Sequence, residues 1–439
     1  MSVSKRDVLK GLFVGSFITQ LPTASWAISD NRQSPPTFTL SNGLRVHLSP
    51  KESGYVSAAL VLRSKHIDDP RGLAHIMEHT SFTGAAGSMT AKQIKDLHSD
   101  CVQESNATTG GGMIQWNASV LSKNTAQLLE LLATTSLDQK FDVETVASEA
   151  RVVLQELYLD KFDAQGRAKQ QFDSSLYGPS HPFARNTTET EIATARTPAP
   201  ILAAELAQYS RLLKLPANMD LFMVGEFDSD QVTEMVRKSF GRFAFAEGPR
   251  LDVPNVGMTR GHKSISALSN GLKRPLSEIR IAWNTGVRAT DPQAGILLAL
   301  GEYLNKVLFT ELREKSGDSY TPEASFKADS CSGIFKIKIQ SSSNPELVER
   351  RIFDALATLK ESIDAKELQR FSDKLELKRC KDAQRNDDIL ECMIERTLHG
   401  ASPQDLQVKA ITVGEIRSAA RKFLPSHKSG YVRLTFVGR

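Results

Sequence analysis

Apolar and polar residues alternate along this chain with two different periods. The runs "FTLSNGLRVHLS", "YVSAALVLRS" and "GIFKIKIQ" predict strands, and Asn42-Gly43 inside the first predicts a hairpin turn. Apolar residues spaced three and four apart predict helices over "NTAQLLELLATTSL", "NPELVERRIFDALATLKESI" and "FSDKLELKRCKDAQRNDDILECMIERTLHG". Strands and helices come in groups, without regular strand–helix–strand alternation. That grouping predicts an α+β fold.

The pattern occurs twice. "SAALVLRSKHIDDPRGLAHIMEHTSF" and "EIRIAWNTGVRATDPQAGILLALGEYL" each run from an apolar strand through Asp-Pro into a helix, and Asp69-Pro70 matches Asp291-Pro292 at an offset of 222. The same offset aligns Asp142 with Asp364, and "LFMVGEF" corresponds to the terminal "LTFVGR". Two similar α/β sandwich domains in tandem are therefore expected, over 28–245 and 263–439. The Pro- and Gly-bearing stretch 246–262 would be the linker.

Within the first copy, "GLAHIMEHTSF" places three residues that a core helix would exclude. His75 and His79 are four apart, about one turn, on one helix face, with Glu78 beside them. Two imidazoles suit zinc, and a carboxylate next to an open coordination position can take a proton from water. Two histidines on a half-buried helix can equally be structural residues with hydrogen-bond partners, so this pattern alone leaves both readings open. At offset 222 the second copy has Leu297, Leu300 and Gly301 instead. Downstream, Glu149 and Glu156 stand seven apart, two turns along one helix face, and align with Phe371 and Lys378.

Composition adds a compartment but no partner. The 439 residues are 40% hydrophobic and 24% charged, ordinary for globular domains, with a formal charge of +4. Lys5, Arg6 and Lys10 against Asp7 account for two of those charges, so nothing points to nucleic acid. Residues 1–27 have the basic start, short apolar stretch and small-residue end of an export signal, and "SKRDVLK" resembles the twin-arginine motif with Lys5 in place of the first arginine. Removal of that signal would leave no membrane span and a protein of the bacterial periplasm. Cys101, Cys331, Cys380 and Cys392 are few and scattered, and no essential disulfide is expected. Cys380 and Cys392, on one predicted helix, would be about 18 Å apart.

His75-x-x-Glu78-His79, followed by Glu156 with 76 residues between it and His79, resembles the pitrilysin and insulinase-type zinc peptidases, in the short two-domain form of bacterial relatives of the mitochondrial processing peptidase. The resemblance implies that His75, His79 and Glu156 hold one Zn2+ per chain, that Glu78 is the general base and that Glu149 supports the site. "SNATT" is similar to the family's Asn-Ala-x-Thr segment, which implies substrate-backbone binding by Asn106 and Ala107, although "SDCVQE" before it lacks the usual glycines. "LFTELREKSGDSY" resembles the family's Leu-Arg-Glu segment ending in tyrosine, with "KSGD" replacing an apolar stretch; Arg313 and Tyr320 are implied to bind substrate and steady the tetrahedral intermediate. The implied protein is a zinc endopeptidase of peptides or unfolded segments. Its chain would form half of a clamshell completed by a second copy, with a heterodimer as the alternative pairing. A non-catalytic subunit of the same family is the alternative function.

Overall fold

The computed structural model describes residues 37–62, 69, 71–110, 113–160, 163–245, 254–269, 271–319, 321–399 and 412–439. The expected export signal, Tyr320 and part of the expected linker lie outside them. Among the described residues no helix is long and apolar enough to cross a membrane.

Two mixed sheets carry the fold. The first contains β1 (Thr37–Thr39), β2 (Arg45–Pro50), β3 (Tyr55–Leu62), β4 (Val102–Gly110), β5 (Met113–Leu121) and β6 (Met219–Gly225), in the order β1-β2-β6-β3-β5-β4. The second contains β7 (His262–Leu268), β8 (Ser277–Asn284), β9 (Glu323–Ala328), β10 (Gly333–Ser341) and β11 (Tyr431–Val437), in the order β7-β11-β8-β10-β9. Apart from β1 the orders are the same, and each sheet has one parallel pair at the matching place, β2 with β6 and β7 with β11. β1 and β2 form the expected hairpin, with Gly43 at φ 86° where a Cβ would be strained.

Helices α1 (Leu73–His79), α2 (Ala91–Cys101), α3 (Thr125–Leu137), α4 (Val143–Asp160), α5 (Ala164–Tyr177), α6 (Thr188–Ala195), α7 (Ala199–Leu213) and α8 (Ser229–Phe240) belong to the first half of the sequence. The second half has α9 (Ala294–Phe309), α10 (Pro345–Glu361), α11 (Ala365–Asp382), α12 (Asn386–His399) and α13 (Val413–Phe423). One face of each sheet is covered by its own helices, burying Leu60, Trp116, Met77 and Leu128 in the first core and Trp283, Leu300, Phe335 and Leu356 in the second.

The other faces are covered by exchange. Phe172 and Leu176 of α5 pack on Ile265, Ala282 and Leu434 of the second sheet, while Leu390, Met393 and Ile394 of α12 pack on Ala59, Val61 and Phe222 of the first. α5 and α12 are repeat counterparts, so each half lends one helix to the other. This corrects the expectation of one helix through Cys380 and Cys392. The chain turns between Asp382 and Asn386, where buried Asn386 donates to Ser53 Oγ (3.0 Å) and the Tyr55 carbonyl (3.2 Å), docking α12 on the first sheet. The distance expected along one helix therefore does not apply; Cys380 is exposed on α11 and Cys392 is buried on α12.

The repeat register shifts by one residue in β3 and in α1, the helix that carries the site. Val56, Ala58 and Leu60 of β3 face their helices, as do Ile279, Ile281 and Trp283 of β8, and an offset of 222 would put these on opposite faces of the sheet. An offset of 223 restores the faces and sets buried Ala74, Ile76 and Met77 on buried Leu297, Ala299 and Leu300. The counterparts of His75, Glu78 and His79 are then Leu298, Gly301 and Glu302, while Glu149 and Glu156 remain opposite Phe371 and Lys378. In the second half Lys378 Nζ lies 3.9 Å from Glu302 Oε1, and Phe371 meets Tyr303 edge-on at 5.5 Å.

Gly301 allows β9 to close over that position, since a Cβ there would lie 2.8 Å from the Phe326 amide nitrogen. Gly301→Ala is expected to destabilise the protein by about 1–3 kcal/mol because backbone must move to admit the methyl group. An unchanged denaturant midpoint would contradict this close approach.

Candidate active site

α1 is short, and it needs help at its start. Gly72 precedes it at φ 71°, with Glu191 so near that a Cβ would lie 2.8 Å from its Cγ. The Asp69 carboxylate accepts from the Leu73 amide (2.9 Å) and the Ala74 amide (2.6 Å), satisfying donors that a first helical turn leaves open. Burial raises the Asp69 pKa despite these bonds. In this copy Asp69 of that marker thus serves as a cap for α1.

Leu73, Ala74, Ile76 and Met77 sink into the core, which turns His75, Glu78 and His79 toward α4 and β4. Val146, Ala150, Val153 and Leu157 bury one stripe of α4, and Glu149 and Glu156 lie beside it, facing α1. His75 Nε2 and His79 Nε2 stand 3.3 and 3.4 Å from Glu156 Oε2, and the two rings meet edge-on at 4.9 Å. The donor atoms of these three residues all fall within 4.8 Å of one another. Tetrahedral zinc, with bonds of about 2.0–2.1 Å, has edges of about 3.3–3.4 Å, so the two nitrogens and the carboxylate could hold such an ion.

Glu149 Oε2 lies 3.5 Å from His79 Nδ1. An acceptor there favours the proton on Nδ1 and leaves the Nε2 lone pair directed at Glu156. Glu78 sits beside Thr109 of β4. Burial raises its pKa and the Glu156 carboxylate adds to the rise, while Thr109 and the neighbouring His79 ring offset this only in part. A carboxylate partly withdrawn from water is a stronger base than an exposed one.

β4 is the outermost strand of its sheet, with exposed Asn106 and buried Ala107 opposite Asn117 and Trp116 of β5. α2 runs into β4 without an intervening loop, which accounts for the missing glycines of "SDCVQE". The structure therefore brings His75, Glu78, His79, Glu149 and Glu156 together beside the strand that carries Asn106. Arg313 is exposed on a π-helical turn, Thr310–Lys315, that continues α9 and packs against α9 and α10 of the second half. Asp318, two residues before Tyr320, is buried and accepts from Ser316 Oγ (2.9 Å), Ser343 Oγ (2.8 Å) and Arg351, which explains how a carboxylate fits into "KSGD".

Sequence reasoning missed Thr109, although it lies in the quoted "SNATT" segment. It also missed a largely buried polar group under α1 made of Thr80, Ser81, Trp116, Gln139 and Lys214, whose members come from four places in the chain and share no spacing.

A family model described as "Insulinase (Peptidase family M16)" matches residues 59–179, and one described as "Peptidase M16 inactive domain" matches residues 201–375. An uncharacterized zinc protease of Mycobacterium leprae is 26% identical over 314 residues, which are 68% of this chain and 67% of that protein. A probable mitochondrial-processing peptidase subunit beta of Arabidopsis thaliana is 24% identical over 270 residues, 60% of this chain and 49% of its own. Among solved structures, a protease from Helicobacter pylori superposes with a TM-score of 0.79 at 18% identity, over 91% of this chain and 98% of that one. The first half of the periplasmic protease PqqL from Escherichia coli gives 0.73 at 18% identity, over 93% and 92%.

Proposed function

The chain belongs to the insulinase family of peptidases, M16, and we propose that it is a zinc-dependent endopeptidase acting on peptides or unfolded segments. The observation that carries this reading is the convergence of His75, His79 and Glu156 within 4.8 Å, with Glu78 beside them, on one copy of a duplicated fold. The "inactive domain" match covers 201–375, and the second-half counterparts of His75, His79 and Glu156 are Leu298, Glu302 and Lys378, so that description does not bear on residues 75–156. The relatives' names support zinc as the metal.

His75, His79 and Glu156 would hold the zinc, which when bound would supply Lewis acidity to polarise a carbonyl and make water more acidic. Glu78 takes the proton from the attacking water on a carboxylate oxygen and delivers it to the leaving amide nitrogen. Glu149 holds His79 in the tautomer that keeps Nε2 free for the metal. An extended substrate pairs with the open edge of β4 at Asn106 and Ala107, gaining main-chain affinity with loose sequence preference. Purified protein is expected to carry about one zinc per chain and to cut a mixed peptide library in a chelator-sensitive way. A chain that takes up no zinc and cuts nothing overturns the reading in favour of a non-catalytic subunit.

We further propose that 28–245 is the zinc-binding domain and 263–439 the domain that carries Arg313 and Tyr320, and that two copies pair so that this arginine and tyrosine serve the partner's site as oxyanion donors. Mixing Glu78→Gln chains with Arg313→Ala chains is expected to restore about a quarter of the activity, since random pairing of equal amounts makes half the dimers mixed and each mixed dimer keeps one intact site. No recovery despite confirmed mixed dimers would place both residues in one chain's site. The pattern of residues 1–27 supports export to the periplasm, and a chain that stays in the cytoplasm with those residues uncut would count against it.

A further inference from the structure

α1 has only seven residues, and its last carbonyls outrun the helix's own amides. Side chains supply the missing donors. The Met77 carbonyl accepts from Thr80 Oγ1, Ser81 Oγ and Gln139 Nε2, each at 3.0 Å, and the His79 carbonyl accepts from Thr83 Oγ1 at 3.0 Å. Ser81 is held in turn by Trp116 Nε1 at 2.9 Å. Gln139 Nε2 also donates to Thr80 Oγ1 at 2.6 Å, and its Oε1 accepts from the ammonium of Lys214.

The direction of that relay is fixed by chemistry. An ammonium can only donate and a main-chain carbonyl can only accept, so the Gln139 oxygen must face Lys214 and its nitrogen must face α1. Lys214 is 6% exposed, with its ammonium 5.3 Å from the centre of the Trp116 ring and 5.9 Å from that of Phe141. Burial pushes its pKa down to about 7, so placing a lysine here is costly for folding. A positive charge behind the C-terminal end of a helix complements the helix dipole.

We propose that Lys214, acting through Gln139, is a positioning residue that fixes the last turn of α1 and thereby aims His79 and Glu78 at the place where Glu156 meets them. This rests on the zinc reading above. A two-turn helix frays readily, and a metal ligand on its final residue is held only as firmly as that turn.

The test uses Lys214→Met, which keeps the length and apolar stem, and Gln139→Glu, which keeps a partner for the ammonium but offers α1 no donor. Each is expected to weaken zinc binding at least about tenfold in chelator competition, the scale of lost support for a ligand. Each should alter the visible spectrum of the cobalt-loaded protein and speed amide exchange at Thr80 and Ser81 in metal-free protein. The double variant is expected to be no worse than the poorer single variant, because both break one chain of bonds. Lys214→Met binding zinc within twofold of the unsubstituted protein, or additive losses in the double variant, overturns the proposal. If Lys214→Met does not fold, Gln139→Glu alone decides by the same affinity limit. If the unsubstituted protein takes up no zinc, the metal reading is what fails, and the exchange rates of metal-free protein still decide whether the relay holds α1.

Discussion

Glu78→Gln is expected to lower kcat/KM for peptide cleavage by about 10²–10⁴-fold while zinc content stays near that of the unsubstituted protein. The substitution is nearly isosteric, and the new amide can still lie against Thr109, so α1 should keep its place. It removes the ability to accept a proton on oxygen. His75, His79 and Glu156 are untouched, so metal uptake and catalysis should separate. Turnover within tenfold of the unsubstituted protein would take the base role from Glu78, and loss of zinc together with activity would make it a structural residue of the centre.

His79→Ala is expected to have an effect of the opposite kind. It deletes the nitrogen 3.4 Å from Glu156 Oε2 and also the ring that Glu149 supports, so the donor set falls from three to two. The purified variant should retain little zinc, and its activity should fall to background. A metal that binds only the folded state adds about 2.7 kcal/mol when present at a hundred times its Kd, so the unsubstituted protein should lose Tm on chelation whereas the variant should not. A variant that keeps both zinc and a chelator-sensitive Tm would remove His79 from the ligand set.

Much of the site could be read in the chain because it obeys local geometry. His75, Glu78 and His79 share a face by the helical repeat alone, and Glu149 and Glu156 do so two turns apart. Helix periodicity also separates them from Ile76 and Met77, which go inward. The register of the duplication was less legible. Asp-Pro fixed an offset of 222, yet the strand before it and the helix after it fit 223, because sheet faces alternate every residue and only packing reveals which face is which.

The sequence by itself determined the duplication, the α+β class and the residues able to bind a metal, since these follow from periodicity and from the chemistry of side chains within a turn or two. Tertiary structure decided that α1 and α4 face each other, that α5 and α12 change places between the halves, and that β9 closes the second copy over Gly301. It alone joined Lys214 to Gln139 and Gln139 to Met77. The physical reason is range: periodicity relates neighbours along one element, whereas a buried donor is satisfied by whichever acceptor packing brings near, at any separation in the chain.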